Sequence, residues 1–446
     1  MNADASLVRG MGLPQAIAAN MLNMIGVGPF ITIPLILAAM GGPQAMLGWF
    51  LGLLLALCDG LVWAELGAAL PGAGGAYVYL REAYGPRSWG RLMSFLFIWM
   101  ICFVAPLGAA SGAVGFANYL KYFWTDMSRP AAIAVAMAVC LLVTALNYRD
   151  IRAVGWLSVA MLSVVVLTTL WVIAAGLIHF DPSRVFDFPP HAFRLDGAFF
   201  KALGAATLIA IYDYGGYNNI CYLAGEVVDA PRTVPRAVIL SIALVAAIYV
   251  AMSAGIISVV PWREAIQSNA LVSDMLQRLY GDWAGAVVTA LILWTTLAAL
   301  FALILGYARI PFAAATDGQF FAAFARLHPT GRFPHVSLLV IGGASAVLCL
   351  FRLDAIINAL ITIQILIHFL PQVAAVTLLR RTRPDLPRPF RMWLYPLPGV
   401  LAAALWGYIW ITSDWTYVAA SMGVAAVGVA LFLGRSYQRS EWPFAS

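Results

Sequence analysis

The chain has 446 residues, 63% of them hydrophobic and 10% charged, with 26 basic against 20 acidic side chains and a mean hydropathy of +0.88. An ordinary soluble domain carries about 25% charged residues, so these figures exclude a soluble enzyme, a disordered chain and a nucleic-acid binder. A membrane span takes about 20 mostly apolar residues. The apolar runs here are long and continuous rather than ten-residue alternations, which predicts an all-α polytopic membrane protein and not an outer-membrane barrel.

Twelve spans are predicted, at 12–40, 44–70, 89–119, 131–147, 153–178, 198–228, 236–260, 282–314, 335–351, 354–379, 393–412 and 415–434. The first is too long for the apolar region of a cleavable signal and runs on into the second. Near its middle, Gly26-Val27-Gly28-Pro29 interrupts it. Span 2 holds Asp59, expected to be a neutral hydrogen-bonded acid or a proton relay, and Glu65, which meets a cytoplasmic arginine or snorkels. Span 6 is interrupted by Tyr214-Gly215-Gly216-Tyr217, with Asp213 just before the break. His368 in span 10 is expected to be a satisfied packing residue, and the Arg380–Arg391 cluster after it is placed among anionic headgroups. The five cysteines (Cys58, Cys102, Cys140, Cys221, Cys349) fall within apolar runs and read as small buried hydrophobes rather than disulfide or metal partners.

With a cytoplasmic N-terminus, 18 of the 26 basic residues fall on the inner side and 8 on the outer. That asymmetry orients the chain with both termini in the cytoplasm and the spans in the plasma (inner) membrane. Glycine weakens a helix by about 1 kcal/mol and proline by about 3 kcal/mol, so a Gly–Pro interruption at membrane depth is unfavourable unless it lines a cavity. Tight packing of small residues is the competing explanation for either break alone. The two breaks stand five spans apart, in the first and sixth spans. This spacing suits a five-plus-five inverted repeat whose paired discontinuous helices form a midplane site. The expected organisation is a cytoplasmic N-terminus (1–11), a first repeat (12–180), a second repeat (198–379), two further spans (393–434) and a cytoplasmic C-terminus (435–446).

Several motifs then fall in order at span ends. They are Ile25-Gly26-Val27-Gly28-Pro29-Phe30, Ala64-Glu65-Leu66-Gly67 with Pro71-Gly72-Ala73-Gly74-Gly75-Ala76-Tyr77, and Asn147-Tyr148-Arg149. Later come Tyr214-Gly215-Gly216-Tyr217-Asn218, Glu226-Val227 with Pro231 to Ala237, Arg309 with Asp317-Gly318 and Leu327-His328-Pro329, and Arg380 to Phe390. Together they resemble the amino acid–polyamine–organocation superfamily, in particular its L-type amino acid transporter branch and the related polyamine-uptake permeases. The resemblance covers nearly the whole chain and implies a LeuT-type fold of ten core helices plus two, working as a secondary transporter.

Unwinding after Ile25 frees amides at the N-terminus of an outer half-helix, where the helix dipole is positive. Gly26, Val27 and Gly28 would let a carboxylate approach. Carbonyls at Tyr212–Tyr214, before Gly215 and Gly216, offer the opposite pole to an ammonium, so an α-amino acid satisfies both. The resemblance makes Tyr212 an aromatic lid, with Phe103–Ser111 and Trp294–Phe301 flanking the cargo's side chain. Many relatives carry a lysine in span 5 where Val165 stands here, and the only lysines are Lys121 and Lys201. Coupling is therefore expected through a sodium site at Thr295 and Thr296, through a proton at Asp59 or Asp213, or not at all.

Asp213, where L-type members have a small residue, holds a cationic group, takes a proton, or is structural. The partners expected are a small amino acid or related amine and the lipid bilayer, with no nucleic acid. No cofactor is expected beyond a coupling Na+ or H+. No accessory subunit is implied, because no outside loop carries a cysteine. Cationic amino acids or polyamines are the runner-up cargo, with Asp213 as counter-ion. A membrane enzyme is disfavoured: there is no HExxH, no Gly-Lys pair and no metal spacing among His179, His191, His328, His335 and His368. Flux that saturates and is accelerated by cargo on the opposite side would separate a carrier from a channel.

Overall fold

The computed structural model describes residues 10–26, 28–72, 75–148, 154–329 and 333–444. Val27, Ala73, Gly74 and Arg149 of the motifs above lie outside the described residues. The first span is two helices, α1 (Leu13–Met24) and α2 (Gly28–Met40), each with a proline in its first turn, where the missing N–H is tolerated. Next come α3 (Met46–Ala69), the amphipathic α4 (Ala76–Tyr84), α5 (Trp89–Leu120), α6 (Arg129–Asn147) and α7 (Val154–Ile178). A short α8 (Pro182–Val185) precedes α9 (Gly197–Tyr214), whose start is capped by Asp196 accepting from the Phe199 amide at 2.9 Å.

The stub α10 (Asn219–Tyr222) continues the sixth span, followed by α11 (Ala230–Val259), α12 (Trp262–Ala265) and α13 (Leu271–Tyr280). The chain then runs through α14 (Asp282–Tyr307), α15 (Arg309–Thr316), α16 (His335–Leu348) and α17 (Leu353–Gln364). A π-turn over Ile365–Phe369 leads into α18 (Leu370–Thr382), and α19 (Leu397–Thr412) and α20 (Trp415–Gln438) complete the fold.

Seven helical stretches among the described residues are long and apolar enough to cross a membrane, and four shorter apolar helices accompany them. The two broken spans are α1 with α2 and α9 with α10. Apolarity alone does not say which spans are internal. In α5, 72% of the apolar window is buried against 22% in α20, so α5 is a central post and α20 lies at the periphery. The breaks are held in one packed unit: α3 lies between α9 and α11, α2 packs on α9, and α1 packs on α11 and α10. Close approach of α7 to α11 depends on two glycines, since a methyl on Gly176 would lie 2.7 Å from the Gly255 Cα.

Two features differ from the sequence reading. Helices α4 and α13 occupy stretches read as loops. Both are amphipathic rather than uniformly apolar; in α13, Leu271, Val272, Met275 and Leu276 are buried while charged residues face out. The arginine cluster also differs, because Arg380 and Arg388 turn inward. Glu65 is 2% exposed and accepts from Arg380 Nε and Nη2 at 2.8 and 2.6 Å and from the Met392 amide at 2.8 Å. Arg388 caps the end of α18 by donating to the carbonyls of Leu379, Arg383 and Leu386. A buried carboxylate needs a partner more than headgroups need these two arginines, so Glu65 meets an arginine and the chain between α18 and α19 is clamped.

Candidate substrate site

Helix α1 ends where Ile25 leaves helical geometry; its amide donates back to the Met21 carbonyl at 2.6 Å and that of Gly26 to Met24 at 3.0 Å. Helix α9 ends at Gly215, whose backbone is extended and whose amide donates to Tyr212 at 3.2 Å. Gly216 follows at φ +108°, a left-handed conformation that favours glycine. Each helix end leaves backbone groups without helical partners, which here are the first amides of α2 and the last carbonyls of α9.

The two breaks touch. A methyl on Gly28 would lie 2.2 Å from Asp213 Oδ1 and 3.6 Å from Tyr212 Cε1, and one on Gly216 would lie 3.1 Å from the Asn23 backbone. Helix α14 forms a third wall, with Ala299 Cβ 3.6 Å from the position of a methyl on Gly26. Helix α5 forms the fourth, where Ser111 Oγ lies 2.8 Å from the Tyr212 hydroxyl.

Three side chains from other turns hold this opening in place, and sequence reasoning missed them all. Tyr249 of α11 donates to the Met24 carbonyl at 2.6 Å and lies 3.3 Å from the Asp213 carbonyl, so it ties the ends of α1 and α9 together. Asn20 donates to the Tyr217 carbonyl at 2.7 Å and to Ser241 at 3.2 Å while accepting from the Ile220 amide at 2.8 Å. Tyr119 of α5 donates to the Phe30 carbonyl at 2.7 Å. No local signal named them, because freed backbone groups must find partners and these partners come from distant turns.

Asp213 is 2% exposed. Its Oδ2 accepts from Thr32 of α2 at 2.5 Å, rather than from span 6 amides or a tyrosine, and its Oδ1 has no hydrogen-bond partner. Of the sequence candidates, Tyr212, Asp213, Tyr214, Gly215, Gly216, Ile25, Gly26 and Gly28 are brought to this junction; Val27 lies outside the described residues. Asp59 lies behind it, fully buried, accepting from Tyr217 at 2.5 Å and from the Trp406 indole at 3.3 Å, which links the sixth span to α19.

His368 sits in the π-turn with Nε2 2.9 Å from the Asn218 amide nitrogen and 3.3 Å from the Tyr222 hydroxyl, a partnered packing residue as expected. Thr296 donates to the Ile292 carbonyl at 2.8 Å, and Thr295 Oγ1 is buried without a partner. Within the Trp294–Phe301 stretch, the structure separates the outward-facing Trp294 from the inward-facing end. Trp294 is 41% exposed, while Phe301 at the far end is buried, because a helix turns only one side toward a site.

One face of the protein is tied shut. The Gly10 and Met11 amides donate to the Glu226 carbonyl at 3.1 Å, Tyr77 of α4 donates to Asp317 at 2.8 Å, and Tyr84 donates to the Pro371 carbonyl at 3.0 Å. From the opposite face a cavity of about 460 Å³ descends to Phe30, Ile31 and Val114, one turn from Gly28 and Ser111. Its wall carries Lys121, Arg129 and Arg352 against a single acid, Asp354, which Arg352 pairs at 3.1 Å. The junction itself brings a positive helix N-terminus, a negative helix C-terminus and one buried, unpartnered carboxylate oxygen together, and the nearest cavity residues, Phe30 and Ile31, lie on the same helix as Gly28.

Comparison with known proteins agrees with this architecture. A family model described as amino acid permease matches residues 11–434. An uncharacterized transporter of Mycobacterium tuberculosis is 32% identical over 433 residues, covering 96% of this chain and 91% of its own. The human Asc-type amino acid transporter 1 is 28% identical over 446 residues, covering 96% of this chain and 81% of its own. The human cationic amino acid transporter 4 is 26% identical over 349 residues, covering 74% and 53%. The family match across nearly the whole length leads to one conclusion: the chain belongs to the amino acid permease family.

Proposed function

We propose that the protein is a carrier that moves α-amino acids across the plasma membrane by alternating access, with both termini in the cytoplasm. The cargo's carboxylate binds the first amides of α2 around Gly26, Val27 and Gly28. Its ammonium binds the last carbonyls of α9 at Tyr212–Tyr214. The observation that carries this reading is the direct contact of the two breaks, Gly28 against Asp213 and Gly216 against Asn23. Opposite helix poles meeting at one junction suit a solute bearing both charges on one carbon. The cavity faces outward and the tied face is cytoplasmic, so the conformation is one that receives cargo from outside.

A cationic cargo paired with Asp213 is the second reading, favoured by the unpartnered Oδ1. The basic wall of the cavity weighs against polyamines, which would meet like charge on the way in. The test is uptake of the common amino acids by the purified chain alone in proteoliposomes, with competition by leucine, arginine and putrescine. Saturable uptake of a zwitterionic amino acid, accelerated by cargo on the far side, supports the reading. Transport of putrescine with no amino acid uptake overturns it.

Tyr212 covers the site and is anchored to α5 through Ser111. Removing its hydroxyl in Tyr212→Phe forfeits one neutral hydrogen bond of about 0.5–1.5 kcal/mol. The expected result is a KM raised about 2- to 10-fold with little change in maximal rate, read from initial uptake rates over a range of cargo concentrations.

A further inference from the structure

The α2 N-terminus carries a positive pole, and the Asp213 carboxyl group stands beside it, with Oδ1 2.2 Å from where a methyl on Gly28 would stand. Asp213 is 2% exposed, its Oδ2 is held by Thr32, and its Oδ1 is unpartnered. No basic side chain pairs with it among the described residues. Helices α2, α3, α11, α17 and α19 pack on α9, and α5 meets it where Ser111 bonds the Tyr212 hydroxyl. Helix α2 presents Thr32. On α3 the acid is Asp59, engaged by Tyr217 and Trp406. Tyr249 of α11 bonds the Met24 carbonyl and the Asp213 main-chain carbonyl rather than the Asp213 carboxyl group, and Tyr408 of α19 donates to the Phe200 carbonyl. The acid of α17, Asp354, lies on the cavity wall beside Arg352. An intramembrane carboxylate without a counter-charge is a functional group by default.

Resting on the amino acid reading above, we propose that Asp213 is the proton carrier of the transport cycle, taking up one proton with each zwitterionic amino acid. The helix end accommodates one anion at a time. In the empty carrier that anion is Asp213. When the cargo's carboxylate takes the amides, two carboxylates meet in one buried slot, and like charges in contact cannot both stay ionised. A proton from the outer side enters with the cargo and joins Asp213 Oδ1, which then donates to the cargo's carboxylate while Oδ2 keeps the Thr32 bond. On the other face the cargo leaves, the proton leaves with it, and Asp213 returns to the helix end as an anion. One zwitterion and one proton cross per cycle, so uptake carries one positive charge inward.

The decisive experiment uses the full chain in proteoliposomes containing a pH-sensitive dye, with whichever zwitterionic amino acid of the panel is taken up fastest. Wild-type protein is expected to acidify the lumen by one proton per amino acid. Its uptake should be faster at mildly acidic than at mildly alkaline external pH, faster with the interior negative, and unchanged when sodium is replaced by choline. Asp213→Asn is expected to lose the proton signal and uphill uptake, leaving any residual exchange indifferent to pH, while Asp213→Glu retains the proton signal. Wild-type uptake without proton movement overturns the proposal and leaves the amino acid reading standing, as does a proton signal that persists in Asp213→Asn. Absence of uptake for every amino acid overturns the amino acid reading itself and this proposal with it.

Discussion

Replacing Gly28 with alanine is expected to reduce uptake by about 100-fold or more while leaving the fold intact. Gly28 is in helical conformation, which alanine adopts more readily than glycine, so the backbone does not object. The space does. The added methyl would lie 2.2 Å from Asp213 Oδ1 and 3.3 Å from its Cγ. Asp213 is buried and held by Thr32 on the far oxygen, so the carboxyl group must swing into the site or part from α2. A displacement of about 1 Å among reacting or binding groups is enough for a loss of about 100-fold. Initial uptake rates together with thermal unfolding in detergent check this. Gly343→Ala, where a methyl meets nothing within 4 Å, is the matched control and should leave both measurements unchanged.

Asn20→Ala is expected to destabilise the protein by about 2–5 kcal/mol and to abolish uptake. Asn20 is fully buried and serves both sides of the junction, donating to Tyr217 and Ser241 and accepting from the Ile220 amide. Truncation leaves a buried amide and a buried carbonyl unsatisfied, at about 1–3 kcal/mol each. Water cannot readily replace the lost partner in a packed interior. The loss should appear as a lowered unfolding temperature in detergent. Asn20→Asp keeps the acceptor for Ile220 but not the donor for Tyr217, so it should fall between wild type and alanine. An unfolding temperature equal to wild type in Asn20→Ala would show that the junction is held by other contacts.

Much of this architecture was legible in the sequence because glycine and proline act locally. The Gly26–Pro29 and Gly215–Gly216 interruptions weaken the helix locally, and the structure ends α1 at Met24 and α9 at Tyr214, although Gly342-Gly343 lies within an unbroken α16. Asp213 stood out because a carboxylate is rare at that depth. Its partner did not, because Thr32 lies 181 residues away and nothing local points to it. Tyr249 and Asn20 were hidden for the same reason. The inward turn of Arg380 and Arg388 depended on Glu65 being buried, a fact that belongs to packing rather than to composition. Which of Trp294–Phe301 face inward was open in the sequence, because a run of apolar residues names a helix without saying which of its sides is buried. Local punctuation is written in the chain, whereas the side chains that satisfy it come from elsewhere in the fold.

Competition by three related molecules puts the two-pole site to its most direct test: leucine, its decarboxylated amine isopentylamine, and its deaminated acid isocaproate, each displacing radiolabelled cargo from the purified protein. Each pole contributes charge-assisted hydrogen bonds of about 1.5–3 kcal/mol. The account therefore predicts that both single-pole analogues compete about 10- to 100-fold more weakly than leucine. Isopentylamine competing as well as leucine would contradict it, because binding would then rest on a lone carboxylate and not on the paired ends of two broken helices.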